Sequence, residues 1–413
     1  MPSSDDPVIG QILSTLLLGS HLMAPGTLAD HVAEAARPLG VTAARIYLAD
    51  LQQHRLRPMS DDSGRRSAPL AVDSTPAGRA FQTITMEHGE DDDRPLWIPL
   101  VEGVERLGVL ELCFADHNEK VGDATVERCR ILASLVALLI ASKGTYSDTY
   151  TELQRSRTMA LQAEMVWAFM APRTFATGQV LLAAALEPAY EVGGDASDHS
   201  LIGDRFHVSL FDSVGHDLTS GLISSVAMAS CRTTRRSGGD LTDIADRADR
   251  AIAAEFGASR FATALLCDLD VSTGEFTWLP CGHPPPLLIR GNEKVEELIR
   301  RPRLPLGLSE IDAGDEHRQP PVPAYTEQLR AGDRLLLYTD GVVEGRDEDG
   351  RPFNLSRLSD FVLRHTAEGL AAPELLRCLN REILDHQRGR LIDDATLILL
   401  EWMPERHGQQ LTL

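Results

Sequence analysis

The sequence predicts an α+β protein of two folded domains joined by a helical segment. Three observations carry that expectation. The chain has 413 residues, and at roughly 150 residues per domain it is long enough for two or three separate cores. Hydrophobic residues make up 43% and charged residues 24% of it, the balance of a chain that buries a core under a solvated surface. The texture also changes at Pro172. Before it, helix-periodic stretches flank a few strands; after it, short apolar strands end repeatedly in aspartate.

The elements follow in order. Thr27 to Leu51 reads as an amphipathic helix, TLADHVAEAARPLG, and then a β-rich run, VTAARIYLADL. A polar, turn-rich stretch passes through Asp61, Asp62, Ser63 and Gly64, and a short helix is expected over Ala77 to Thr83. The acidic run EHGEDDD, Glu87 to Asp93, reads as a solvated loop. Two strands, PLWIPLV and GVLELCFAD, meet at a turn around Glu105 and Arg106, and a long helix opens near Asp123 and carries Ala124 to Ser142. Together these make residues 1–145 a compact α/β sensor-like domain. Tyr146 to Phe169 lacks Gly and Pro and spaces Leu153, Met159, Leu161, Met165, Val166 and Phe169 at helical intervals. Residues 146–172 therefore read as a helical connector, continuous or nearly so with the helix before it and stopped by Pro172. Such a helix can pair with its copy as a short coiled coil, which points to a homodimer; a passive spacer is the alternative.

Charge and cysteine content exclude several function classes. Forty Lys and Arg against 61 Asp and Glu leave a formal charge of −21, a field that repels nucleic-acid phosphates and anionic lipid unless a local basic patch overrides it. No such patch occurs, so neither nucleic acid nor membrane is an expected partner. The six cysteines form no CxxC pair, the pattern of a reduced, cytoplasmic protein. The N-terminus lacks the basic region of a secretion signal. The most apolar helical run, Ile131 to Ser142, falls short of the roughly 20 residues that span a bilayer.

The chemistry lies after Pro172. EVGGDASD places Gly193 and Gly194 just before Asp195; FHVSLFD ends on Asp212; DRLLLYTDGVVE sets Asp340 and Gly341 after an apolar run; LIDDATLILLEW puts Asp393 and Asp394 before a final strand. One aspartate at a strand end is commonly a turn residue. Several that converge repel one another severely unless divalent cations neutralise them. Hard oxygen ligands without Cys or His point to Mg²⁺ or Mn²⁺. Two such ions roughly 4 Å apart can activate a shared water against a phosphoryl centre. Neither a P-loop nor a His-rich metal motif supports nucleotide chemistry instead.

These segments resemble the PPM-type, protein phosphatase 2C-like serine/threonine phosphatases, in their SpoIIE-like bacterial branch. EVGGD, Asp212 to His216, FATALLCDLDVSTGEFTWLPCGHPPPLLI, LPLGL, GDRLLLYTDGVVE and DDATLILL occur in family order between Met159 and Trp402. The resemblance implies an αββα sandwich over residues 173–405, with the metals at one end. It implies Asp212 as the carboxylate bridging two metal ions, joined by the Ser213 carbonyl, with Asp195 on one ion and Asp340 and Asp393 completing the other. Asp212 and Asp340 are then the catalytic carboxylates, and Asp394 orients water or caps the turn. The substrate it implies is a phosphoserine or phosphothreonine on a regulatory protein, notably an anti-sigma-factor antagonist. A phosphatase-fold module that binds a phosphoprotein with little turnover is the alternative. The chain departs from the family pattern at Ala196 and Ser197 and at Asp217. His216 reads as either a leaving-group acid or a structural residue, His283 as a turn residue, Thr263 as core, and Arg232, Arg235 and Arg236 as surface. The first 145 residues resemble a GAF domain through LADHVAEAARPLGVTAARIYLAD, AGRAFQT and WIPLVEGVERLGVLELCF, which implies a regulatory domain with a small-molecule ligand or a dimer contact.

Overall fold

A computed structural model of the chain describes residues 6–59, 68–89, 95–115, 122–257, 259–291, 294–308, 322–389, 391 and 393–404. The polar turn at Asp61 to Gly64, Glu90 to Asp93 of the acidic run and the expected domain end at residue 405 lie outside the described residues. Two compact units divide between Thr158 and Met159.

The first unit is a six-stranded antiparallel sheet, β1 (Val41–Ala49), β2 (Arg55–Pro58), β3 (Leu70–Ala71), β4 (Glu87–His88), β5 (Leu96–Glu102) and β6 (Glu105–Phe114), in the order β3-β2-β1-β6-β5-β4. Alternation along β1 and β6 sends Ile46, Leu48, Leu110 and Leu112 to one face. There they pack with Ile12, Val32, Leu132, Val136 and Ile140 from α1 (Pro7–Leu13), α2 (Leu28–Ala36) and α4 (Asp123–Gly144). The opposite face holds Tyr47, Trp97 and Val109 against Phe81 of α3 (Pro76–Thr83), and the Arg106 guanidinium lies 4.7 Å from the Phe81 ring centre.

The continuous connector helix does not form. Tyr146 to Phe169 folds as α5 (Asp148–Gln154) and α6 (Leu161–Phe169), with Arg155 to Ala160 non-helical between them. Tertiary contacts outweigh the absence of Gly and Pro. Buried Tyr150 donates its hydroxyl to the Pro25 carbonyl at 3.0 Å, and the Leu51 amide donates to the Gln154 carbonyl, which fixes α5 within the first unit. In the second unit, the Ala160 amide bonds the Tyr190 carbonyl and the Trp167 indole bonds the Ala189 carbonyl at 2.8 Å, while Ala163 and Val166 of α6 are buried. Helices of seven and nine residues are too short to carry the coiled-coil seam the sequence suggested.

The second unit is the expected αββα sandwich. One sheet contains β9 (Asp195–Ile202), β10 (Arg205–Ser213), β11 (Ala262–Asp270), β12 (Glu275–Cys281) and β15 (Tyr325–Gln328), ordered β15-β12-β11-β10-β9. The other contains β7 (Thr174–Ala176), β8 (Val180–Glu187), β13 (Leu287–Arg290), β14 (Lys294–Glu297), β16 (Arg334–Tyr338) and β17 (Ala395–Trp402), ordered β14-β13-β16-β17-β8-β7. Every pairing is antiparallel. Phe206, Val208, Leu265 and Trp278 of the first sheet meet Leu182, Leu335, Leu337, Ile398 and Leu400 of the second in one core. Helices α6, α7 (Leu218–Arg236) and α8 (Leu241–Phe256) lie on the first sheet's side. Helices α10 (Leu355–Ala367) and α11 (Ala372–His386) cover the other, and the one-turn α9 (Asp340–Glu344) follows β16.

Candidate active site

Four strand ends meet at one end of the sandwich. Asp195 opens β9 and Asp212 lies opposite it near the end of β10. In the second sheet the Thr339 amide, just past β16, bonds the Thr396 carbonyl near the start of β17 at 3.1 Å. That contact brings Asp340 at the head of α9 beside Asp393 and Asp394. The two sheets are tied through one carboxylate: Oδ2 of buried Asp195 accepts from the Thr339 hydroxyl at 2.8 Å and the Thr396 hydroxyl at 2.6 Å.

Close backbone approach explains the glycines. A Cβ on Gly194 would sit 2.5 Å from the Ser213 carbonyl oxygen, and one on Gly341 would sit 2.0 Å from the Asp394 carbonyl oxygen. The Gly194 carbonyl accepts from the hydroxyls of Ser213, at 3.2 Å, and Ser224. The Ser213 hydroxyl also reaches the Ser220 carbonyl at 2.7 Å, so the small residues of α7 fasten the segment after Asp212 to the loop before Asp195.

The electrostatics are those of crowded carboxylates. Burial first, then the charges of Asp340, Asp393 and Asp394, push Asp212 up to about 7. Burial, Asp212 and Asp394 hold Asp195 well above the usual carboxylate range. Burial, Asp393 and Glu344 raise Asp340. Each shift is upward because burial disfavours the ionised form and the charges that face these groups most closely are other carboxylates, which outweighs the hydrogen bonds that favour ionisation.

Asp393 and Asp394 have different jobs. Exposed Asp393 accepts the Asp394 amide at 2.9 Å. Buried Asp394 accepts with Oδ2 from the amides of Gly193, Gly194 and Asp195 at 2.9, 2.7 and 3.2 Å. Asp394 therefore holds the glycine loop, and burial raises its pKa despite those bonds. The threonines were missed at the sequence level, although both stand beside aspartates, in YTDG and DDAT. Thr263, opposite Asp212 on β11, shares a 2.7 Å hydrogen bond with His283 Nδ1. Burial pushes His283 down to about 3, so a neutral imidazole positions that hydroxyl. His216 is exposed. Arg235 departs from its expected surface position: it is buried, 3.0 Å from Asp198, which Arg232 also contacts at 2.7 Å.

Among the described residues, no three His, Cys, Asp or Glu side chains are already drawn together around a cation position. The donor chemistry nonetheless fits hard divalent ions. The converging groups are all carboxylates, and their mutual repulsion is of the kind that bound cations relieve.

Residues 202–403 match the family described as Stage II sporulation protein E (SpoIIE). Phosphoserine phosphatase RsbU of Bacillus subtilis is 23% identical over 216 residues, covering 52% of this chain and 60% of RsbU. Protein IcfG of Synechocystis is 24% identical over 247 residues, covering 52% of this chain and 37% of IcfG. The chain thus spans less than two thirds of either relative. The crystal structure of the RsbU and RsbW domains of Rv1364c from Mycobacterium tuberculosis is 25% identical over 55% of this chain and 62% of that one, with a TM-score of 0.46.

Proposed function

We propose that this chain, whose residues 202–403 match the family described as Stage II sporulation protein E (SpoIIE), is a metal-dependent protein serine/threonine phosphatase. Its substrate is a phosphoserine or phosphothreonine on a regulatory protein, with an anti-sigma-factor antagonist as the expected kind. The first unit serves as a GAF-like regulatory domain, a reading supported by its order of helix, strands, loop, paired strands and closing helix. No helix among the described residues is long and apolar enough to cross a membrane.

The observation that supports the activity most directly is the convergence of Asp195, Asp212, Asp340 and Asp393 from two sheets. Asp212, with the Ser213 carbonyl, Asp195, Asp340 and Asp393, would hold two Mg²⁺ or Mn²⁺ ions. Bound there, the ions supply an acidified water and charge neutralisation at phosphorus. The chain supplies orientation. Thr339 and Thr396 fix Asp195 by bonding one oxygen and leaving the other free. Asp394 fixes the glycine loop that delivers Asp195, and Ser213, Ser220 and Ser224 fix the segment after Asp212.

The test is hydrolysis of p-nitrophenyl phosphate and of a phosphoserine peptide. Activity is expected with Mn²⁺, abolished by EDTA and lost in Asp212→Ala and Asp340→Ala. Full activity in those variants overturns the carboxylate assignment. Binding of a phosphopeptide without turnover would favour the recognition module instead.

A further inference from the structure

Resting on the phosphatase reading, the geometry points to Arg260 as the residue that captures the phosphoryl group at the mouth of the site. An all-carboxylate centre offers a phosphate no hydrogen-bond donors, so oxygens turned away from bound cations need N–H groups from elsewhere on the chain. Guanidinium is suited to this, because it presents five donors in a planar fork that matches phosphate oxygens.

Arg260 sits against the segment that leaves Asp212. The Val214 amide donates to the Phe261 carbonyl at 3.1 Å, which joins the approach to β11 to the exit from β10. Arg260 Nη1 lies 3.6 Å from the point where a Cβ would stand on Gly215. Gly215 has φ +94, a backbone conformation that side-chain-bearing residues rarely adopt, and the guanidinium packs at van der Waals distance from that Cβ position. The Gly215 carbonyl oxygen in turn lies 2.9 Å from the Cβ position of Gly194, next to Asp195.

Asp217 holds the arginine in place without consuming it. Its Oδ1 accepts the Ser220 amide at 3.0 Å and caps α7, so its orientation is set by the helix. Its Oδ2 faces Arg260 Nη2 at 3.6 Å, with the two side chains 56% and 36% exposed. A pair this open and this long contributes little stability by itself. The guanidinium lies beside Gly215 and is partly exposed, so it can exchange a carboxylate for a phosphate. The departure at Asp217 noted in the sequence thereby gains a role: it orients the capturing cation.

The test uses the full chain loaded with Mn²⁺, steady-state hydrolysis of p-nitrophenyl phosphate, and calorimetric titration with inorganic phosphate. Arg260→Ala should raise KM and the phosphate Kd roughly tenfold while kcat and Mn²⁺ affinity hold. Arg260→Lys should recover part of the loss. Asp217→Asn, which keeps the cap acceptor and removes the competing charge, should bind phosphate as tightly as the parent or more tightly. Unchanged KM and phosphate Kd in Arg260→Ala overturn the assignment. So does an equal weakening in Asp217→Asn, or a loss confined to kcat and Mn²⁺ affinity, since either makes the pair a pin for the loop. Absence of hydrolysis in the parent chain counts against the phosphatase reading alone, because phosphate titration still scores Arg260.

Discussion

Asp212 protonates near pH 7 in the metal-free chain, far above the ordinary carboxylate value, and a stability prediction follows. Between about pH 4 and about pH 7 the folded state holds a proton that the unfolded chain has released, so stability falls as pH rises through that window. The cost is on the order of a few kcal/mol and is largest above about pH 7. Urea unfolding of EDTA-treated protein should show a lower midpoint at about pH 8 than at about pH 5, and excess Mn²⁺ should restore it. A midpoint indifferent to both pH and metal would mean that the carboxylates do not share one site. The strand-end aspartates were legible in the sequence because Asp212 and Asp340 close apolar runs, Asp393 precedes one and Asp195 follows a pair of glycines. The division of labour between Asp393 and Asp394 was not, since adjacent identical residues look alike until the amides of Gly193 to Asp195, some 200 positions away, select one of them. Arg235 is a similar case: its partner Asp198 lies 37 residues earlier, beyond the reach of local periodicity.

At the scale of elements, the site depends on how α9 meets the turn before β17. Gly341 touches the Asp394 backbone so closely that any Cβ forces the two apart. Gly341→Ala should therefore displace Asp340 and weaken Mn²⁺ affinity by about 10- to 100-fold with the far-ultraviolet circular dichroism preserved. Unaltered Mn²⁺ affinity would place α9 outside the site. The strands that frame this contact were readable as apolar runs: β10, expected over Phe206 to Asp212, runs Arg205–Ser213, and α3 and α4 begin within a residue of their expected starts. The connector failed for a physical reason. Helical spacing predicts an amphipathic face, but here the apolar residues serve two different cores, Tyr150 in one and Val166 in the other, and the backbone leaves the helix between them.

Across the whole molecule, the first unit has its own sheet and the second its own pair of sheets, each unit around its own buried cluster, so each should fold separately. A fragment of residues 159–413 should retain Mn²⁺-dependent hydrolysis, and the full chain should unfold in two calorimetric transitions. An unfolded or inactive fragment would show that the first unit completes the second. The three amide bonds to Asp394 also have a consequence for biosynthesis. They join residues 199 to 201 positions apart, and the strand that follows Asp394 is the last of the sandwich among the described residues. A nascent chain can therefore display Asp195, Asp212 and Asp340 outside the ribosome and still have no site, because the loop carrying Asp195 has nothing to anchor it. Closure of so long a loop is slow compared with local folding. Assembly of the proposed site thus waits until Asp393, Asp394 and β17 have been made, and a message truncated ahead of Asp393 yields a chain that carries Asp195, Asp212 and Asp340 without the residue that anchors the glycine loop.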